Sequence, residues 1–269
     1  MSHFRRLERV SSWRRMALEA WAPPSDPTVY GILEVPAAPL EAHVARLREA
    51  SGKRVTLTHL IGKAAALAIA ARPETNSIVR RGRLWQRDTI DVFFQVAFEG
   101  GENLAGAKVC AADRKGVLEI ADELAACASR IRDRRDDPTV RSTRTLARLP
   151  PRLLRAAMRA GETLSYDYGV DLSRLGIPYD AIGSCMITNV AGFGLEVGLA
   201  PLFPPGRCPM ILTVGAVRER PAVVAGQVVA QRTLVLGAAF DHRVADGYQA
   251  GRLAGELRAA LLDPATRLA

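Results

Sequence analysis

Residues 240–247 read FDHRVADG and place a histidine, His242, directly after an apolar stretch. Asp246 follows four residues later, and Gly247 opens an amphipathic segment over residues 247–262. This order predicts a buried strand, a short turn and a helix. An imidazole takes and returns a proton near neutral pH. If the chain is an enzyme, His242 is therefore the first candidate for its general base.

The three ionisable residues 241–243 would be costly to bury without partners. The cluster therefore implies an ion-pair network, a reactive site or a surface edge. On the residues alone, a surface turn in which Asp246 caps the last helix explains the pattern as well. The two interpretations are compatible, because one aspartate can cap a helix and support a site.

The composition is that of a globular protein: 269 residues, of which 48% are hydrophobic and 24% are charged. No run of about 18 apolar residues predicts a membrane span, and the charged residues 1–21 do not resemble a secretory signal. The four cysteines are widely spaced, without a CxxC pair. This pattern predicts reduced thiols in a cytoplasmic protein and neither a zinc site nor a disulfide framework.

The net charge of +9 favours an acidic ligand or partner, such as a phosphorylated cofactor, unless it reflects a general arginine bias. Nucleic acid is not expected, because aromatic residues make up only 6% and no binding motif is present. Four arginines recur at helical spacing: Arg148, Arg152, Arg155 and Arg159. They indicate a solvated face or, alternatively, a surface for a membrane or an acidic partner.

Helical and strand patterns alternate irregularly along the chain, which predicts a single α+β or mixed α/β domain with one continuous sheet system. Strands are expected over residues 28–35, 89–98, 104–111, 184–190, 209–217 and 233–240, with a hairpin over 222–230. Helices are expected over residues 1–21, 40–49, 59–71, 117–132, 146–160 and 247–262. Residues 161–178 are expected to form a turn-rich connection.

Several motifs together resemble the acyltransferase (E2) catalytic domain of 2-oxo acid dehydrogenase complexes. Residues 241–247 match its DHRxxDG signature, and residues 187–194 (ITNVAGFG) match its TISNLGxxG segment. Residues 203–216 resemble its NPP…ILxVG segment, and residues 220–226 (RPAVVAG) resemble its RPVVxxG hairpin. Lys63 and residues 73–76 (PETN) resemble its helix with KA and PxxN. The motifs occur in the family's order and cover most of the chain.

The resemblance implies the chloramphenicol acetyltransferase-like fold and CoA-dependent acyl transfer. His242 would be the general base that takes the proton of a coenzyme A or dihydrolipoamide thiol. Thr188 would donate its hydroxyl hydrogen bond to the tetrahedral oxyanion, an interaction worth about 10²–10³ in turnover. A thiol of pKa about 8.5 and an imidazole of pKa about 6.5 suit this proton transfer. No metal is implied.

The resemblance also implies supporting residues and an assembly. Asp246 would pair with an arginine of residues 12–15 (SWRR), Arg15 or Arg14, and Asn189 and Gly247 would support the loops of the site. Family members form trimers in which the histidine and the hydroxyl come from neighbouring subunits. A homotrimer, or a larger multiple of three, is therefore expected.

The chain also departs from the family pattern. Residues 1–269 are expected to be one catalytic domain without a lipoyl or a subunit-binding domain, so that any lipoyl group would act in trans. Residues 139–183 are an enlarged insertion beside the strand with Thr188, and the PxGLxxPV pattern is missing from residues 94–113. The acceptor therefore stays open between a lipoyl thiol and a small-molecule hydroxyl or amine. The alternative function is an inactive or weakly active oligomeric scaffold.

Overall fold

The computed structural model describes residues 26–98, 103–133, 150–175 and 179–268. The expected helix over residues 1–21, with Arg14 and Arg15, lies outside these ranges. The strands are β1 Thr28–Pro36, β2 Ser77–Arg80, β3 Arg83–Gln86, β4 Val92–Phe98, β5 Asn103–Val109, β6 Cys185–Asn189, β7 Met210–Val214, β8 Arg218–Val224 and β9 Gln227–Asp241. The helices are α1 Ala38–Ser51, α2 Leu57–Ala71, α3 Val117–Asp133, α4 Pro151–Glu162, α5 Gly247–Leu262 and α6 Pro264–Arg267.

Seven strands form one mixed sheet in the order β1-β9-β7-β6-β4-β5, with β8 also paired to β9. Strands β4, β6 and β7 are parallel to one another, and every other pairing in this sheet is antiparallel. Strand β9 is 15 residues long, so its first part pairs with β8 and its second part with β1 and β7. The mixed sheet with helices confirms the predicted fold class.

Helices cover one face of this sheet and enclose the hydrophobic core with it. Helix α2 is buried on most sides, as its almost wholly apolar sequence predicts. Gly62 allows α2 to lie directly on β4, because a Cβ at this position would overlap the Phe94 ring. Helix α5 buries Leu253, Leu257 and Leu261 on the face that the sequence predicts.

Three features differ from the predicted elements. Strands β2 and β3 form a separate two-stranded hairpin, which the sequence analysis missed; Arg81 and Gly82 both adopt positive φ in its turn, as two-residue hairpins require. The predicted hairpin over 222–230 and the strand over 233–240 share the single strand β9. The predicted turn-rich connection starts instead with the end of α4, which continues into a π-helical turn, Thr163–Asp167.

The start of α2 holds a histidine that resists protonation. His59 occupies the third helical position and accepts a hydrogen bond on Nδ1 from the Thr56 N–H at 3.3 Å. Burial, and to a smaller extent the nearby charges of Arg54 and Arg48, lower the pKa of His59 to about 4. The folded protein therefore keeps this imidazole neutral at pH values where an unfolded chain protonates it.

We expect His59 to destabilise the protein as the pH falls from 6.5 to 4. The unfolded chain binds a proton in this range and the folded chain does not, so each pH unit costs at most about 1.4 kcal/mol. Glutamine at this position preserves an acceptor for the helix cap. H59Q should therefore flatten the pH dependence of the unfolding free energy by about 1–3 kcal/mol over this range, since the ring is partly solvated.

The measurement is urea unfolding at half-unit pH intervals, with H242Q as a control that removes an exposed histidine. Stability curves of H59Q and the wild-type protein that stay parallel from pH 6.5 to 4 would contradict the assignment.

Candidate active site

The turn after β9 is held rigidly by Asp241. This buried carboxylate accepts hydrogen bonds from the backbone N–H, Nε and Nη2 of Arg243, at 2.9, 2.9 and 2.7 Å. Its backbone carbonyl accepts the N–H groups of Val244 and Ala245. His242, which lies between Asp241 and Arg243, donates its backbone N–H to the Pro27 carbonyl at 2.9 Å, and its side chain is exposed. The cluster of three ionisable residues is thus an ion pair that fixes the backbone on both sides of an accessible imidazole.

Asp246 is the N-cap of α5. Its Oδ1 accepts the N–H groups of Tyr248 and Gln249, and the Gln249 side chain accepts the Asp246 N–H in return. This reciprocal pair is a capping box. Gly247 lies at the first helical position, with open space where a Cβ would stand. The expected pairing of Asp246 with Arg15 or Arg14 involves residues outside the described ranges.

Thr188 lies near the carboxyl end of β6, half-buried, on the sheet face opposite the helices. Ile187, its neighbour in sequence, points to the other face and belongs to the core. The hydroxyl of Thr188 has no hydrogen-bond partner among the residues that the structure describes. It is therefore able to donate to a group that arrives from outside the chain.

Thr188 and His242 lie at opposite ends of the sheet. The register places Thr188 beside Thr213 of β7, which in turn lies beside Gly237 of β9. His242 comes five residues after Gly237, at the end where β6 and β7 begin, so the two positions are about 17 Å apart along the strands. Two strand spacings add about 10 Å sideways. One chain therefore does not bring these two side chains together.

Asn189 shapes the loop that leaves β6. Its Oδ1 accepts the Ala191 N–H at 2.9 Å, and its Nδ2 donates to the Thr58 hydroxyl at 3.0 Å. The first bond forms a local turn and the second ties the loop to the start of α2. A cleft of about 390 Å³ begins here, with Arg48 and Glu41 on its other side. The loop with Asn189 is therefore supported next to open space.

The loop over residues 191–203 crosses the sheet face that carries Thr188. The Thr213 hydroxyl donates to the Gly198 carbonyl, and a Cβ at Gly237 would overlap that same carbonyl. The loop and the adjoining strand β1 leave large apolar side chains exposed. These are Tyr30, Ile32, Phe193, Leu195, Val197, Leu199 and Phe203. We call this set the apolar face.

Arg207 joins the insertion to the loop before β7, an interaction that the sequence analysis did not predict. Its guanidinium donates to Glu162 Oε1 at 2.7 Å and to both oxygens of Asp167, at 2.7 and 2.9 Å. It also lies over the Tyr166 ring, whose hydroxyl donates to the Gly206 carbonyl. The Arg207 hydrogen bonds hold the pKa of Asp167 below its usual value. A bidentate arginine of this kind requires the planar guanidinium.

A second arginine fixes the end of the insertion. Arg87 donates through Nε and Nη2 to the two oxygens of Asp180, at 2.8 and 2.9 Å. Lys108 donates to the Asp180 carbonyl at 2.9 Å and lies 3.4 Å from Asp91. These contacts anchor the chain just before it enters β6, and therefore help to set the position of Thr188.

The insertion borders a cleft of about 620 Å³ beside the His242 turn. Glu162 and Asp167 lie on one side of it, and Asp241 and Arg243 on another. The remaining lining comes from Asp26 and Pro27 just before β1, the β2–β3 hairpin, the 202–208 loop and Val244. Since Arg207 clamps α4 in place, the insertion forms a fixed wall of this cleft.

No group of three metal-ligating side chains that could hold an ion occurs within the described ranges. Likewise, none of the helices that the structure describes is long and apolar enough to cross a membrane.

The model of the 2-oxoacid dehydrogenases acyltransferase (catalytic domain) family matches residues 11–142 and 181–269. The chain therefore belongs to this family. The two matched stretches leave residues 143–180, which include α4 and the π-helical turn, between them.

The similar proteins are named as acetyltransferases. The dihydrolipoyllysine-residue acetyltransferase component of the acetoin cleaving system of Bacillus subtilis (strain 168) is 25% identical over 217 residues, 81% of this chain and 44% of that protein. A probable dihydrolipoamide acetyltransferase from Listeria monocytogenes 4b F2365 superposes with a TM-score of 0.66 at 16% identity, over 100% of this chain and 99% of that one. This chain thus spans less than half the length of the curated Bacillus subtilis relative.

A third similar structure is the dihydrolipoamide acetyltransferase of Azotobacter vinelandii, with a TM-score of 0.66 and 20% identity, over 98% of this chain and 95% of that one. Its study concerned the catalytic roles of a serine, a histidine and an asparagine, the last two four residues apart.

We expect substitutions at Asp246 to separate its two roles. D246A removes both cap acceptor bonds and should lower the free energy of unfolding by about 1 kcal/mol. D246N preserves an acceptor oxygen and should stay within about 0.5 kcal/mol of the wild-type protein, while losing the charge needed to pair with an arginine. Chemical denaturation measures the first role, and acyl transfer measures the second. Equal stability of the two variants would contradict the cap assignment.

Proposed function

We propose that the protein transfers an acyl group between coenzyme A and a dihydrolipoyl thiol carried on another chain. The observation that carries this proposal is the rigid His242 turn in a chain of the acyltransferase family. The spacing from His242 to Asp246 equals that of the histidine and asparagine studied in the Azotobacter vinelandii enzyme. Thr188 precedes His242 by 54 residues, where the serine of that enzyme precedes its histidine by 52. The net charge of +9 suits a ligand with phosphates.

In the proposed reaction, His242 takes the proton of the attacking thiol. The thiolate adds to the carbonyl carbon of the acyl thioester, and the negative charge moves to the carbonyl oxygen. The Thr188 hydroxyl donates a hydrogen bond to this oxyanion. When the carbonyl re-forms, the C–S bond of the first thioester breaks, and the departing thiolate takes the proton back from His242. The imidazole therefore ends the cycle in its starting state.

A homotrimer, or a multiple of it, would unite the two side chains. Because His242 and Thr188 lie at opposite ends of one sheet, a head-to-tail arrangement brings the His242 end of one subunit to the Thr188 end of the next. Such heterologous contacts close into rings when the rotation permits. The apolar face lies on the Thr188 side of the sheet, where its burial would stabilise this contact by the hydrophobic effect.

The first test of the proposal is loss of acyl transfer. H242A should abolish transfer from acetyl-CoA to dihydrolipoamide, because the general base is gone, and T188A should lower turnover about 10²–10³-fold. Transfer between two thiols leaves the total numbers of thiols and thioesters unchanged, so chromatographic separation of CoA from acetyl-CoA measures the rate, and circular dichroism checks the fold. Unchanged turnover of H242A would contradict the proposal. Transfer only to small hydroxyls or amines would show that the acceptor is not a lipoyl thiol. A scaffold without activity would show no rate with any donor.

The second test asks whether the two side chains come from different subunits. Co-assembled H242A and T188A subunits in equal amounts should regain activity, because about a quarter of the interfaces then pair an intact histidine with an intact threonine. Either variant alone stays inactive or nearly so. A mixed assembly no more active than T188A alone would show that both groups act within one subunit.

The third test addresses the apolar face. I32E places a carboxylate on a side chain that is 59% exposed in the single chain, so the subunit should still fold. Burying that charge at a subunit contact is costly, so the variant should dissociate to monomers and lose most of its activity. Light scattering on a sizing column measures the mass. V228E, which changes a 74% exposed residue near the far end of β9, is the matched control. An active I32E trimer would contradict this interface.

A further inference from the structure

Helix α4 presents two distinct faces. Leu154, Ala157 and Gly161 recur at helical spacing and are half-buried, and α4 contacts the 204–206 turn. Arg152, Arg155 and Arg159 follow the same spacing on the outward side. All three arginines are exposed, and none forms an ion pair within the part of the chain that the structure describes. The outward face of α4 is therefore a row of uncompensated positive charges.

This basic row adjoins the cleft beside the His242 turn. Glu162, the last residue of α4, is bonded to Arg207 and lines that cleft, as does Asp167 five residues later. The Arg207 clamp therefore fixes the direction of the basic row relative to the cleft mouth. A partner that binds to α4 and carries a flexible arm would therefore be able to extend that arm into the cleft.

The chemistry of the row favours an acidic protein domain over a lipid surface. The two large apolar residues that α4 exposes, Leu153 and Met158, are five residues apart and therefore point in different directions. An interfacial helix needs a continuous apolar face to immerse. Here the inward apolar positions are half-buried against the protein, so the row of arginines is the most exposed feature of α4.

We propose that the basic face of α4 docks an acidic carrier domain that presents the dihydrolipoyl thiol to the cleft. The inference rests on the proposed acyl transfer and adds the surface on which the carrier is recognised. Residues 143–180, which the family model does not match, would thereby favour a dihydrolipoyl group on a carrier domain over free dihydrolipoamide. Complementary charges raise the rate of encounter and fix the orientation of the partners, so their loss should weaken the carrier-borne reaction selectively.

The test compares two acceptors with wild-type protein and R152E/R155E, which leaves the Arg207 clamp untouched. One acceptor is an isolated domain of net negative charge that bears a single dihydrolipoyl-lysine, and the other is free dihydrolipoamide. The variant should raise KM for the domain about tenfold or more while KM and kcat for free dihydrolipoamide stay within about twofold. R258E/R267E, which reverses two exposed arginines on α5 and α6, is the matched control and should change neither value.

A binding measurement separates this inference from the proposed function. Fluorescence anisotropy of the labelled domain, titrated with the full-length H242A protein, should show salt-sensitive binding that R152E/R155E weakens about tenfold. If wild-type protein transfers no acyl group but this binding is found, the docking surface stands and the proposed reaction fails.

The docking surface would be overturned if R152E/R155E left KM for the domain unchanged, or changed KM equally for the domain and for free dihydrolipoamide. It would also be overturned if the variant no longer formed trimers, or if the wild-type protein bound anionic vesicles and not the domain.

Discussion

The structure depends most on the register of the long strand β9. Its pairing with β7 places Gly237 in line with Thr188, and its length carries His242 to the opposite end of the sheet. No side-chain movement spans the resulting distance of about 20 Å, since the strands hold both ends through ladder hydrogen bonds. A one-residue slip of β9 would turn its buried face outward and is excluded by the core. The separation of His242 and Thr188 is therefore built into the sheet, and the proposed catalysis by both would require a second copy.

The insertion is attached to this sheet by charge rather than by a hydrophobic core. Helix α4 buries none of its side chains fully. Its end is held instead by Arg207, which pairs with Glu162 and Asp167. In the same way, Arg87 pairs with Asp180 just before β6. These guanidinium groups are largely shielded from solvent, so truncating one partner of a pair would leave an uncompensated charge in a poorly hydrated place. This attachment gives a defined position to a segment that lies outside the family match. It also explains how an insertion can wall a cleft without disturbing the sheet.

The predictable parts of the molecule are those with local signals. The apolar run of α2, the stripe of α5 and the strand before His242 follow directly from periodicity, and the cap at Asp246 follows from the residue type. The β2–β3 hairpin was missed because its short strands include Arg80 and Arg83 at the turn and lack an apolar alternation. The Arg207 clamp joins residues 40 to 45 positions apart, and such ion pairs leave no mark on local sequence. The helix and strand pattern predicts the fold class, whereas the chloramphenicol acetyltransferase-like fold and the role of Thr188 follow only from the family resemblance, because a strand threonine alone carries no functional signal.

The loop over residues 191–203 lies directly on the sheet beside Thr188 and exposes large apolar side chains. It can approach the sheet only because Gly237 and Gly215 lack a Cβ, which would overlap the carbonyls of Gly198 and Glu196. The large apolar side chains of this loop nevertheless remain exposed, although burying each fully would stabilise the protein by about 1.5–3 kcal/mol. That unrealised stabilisation is recovered only when another surface covers the loop. Since the same loop follows Asn189, beside Thr188, the contact that buries it in the proposed trimer would also complete the site. In that proposed trimer, assembly and formation of the active site would be a single event.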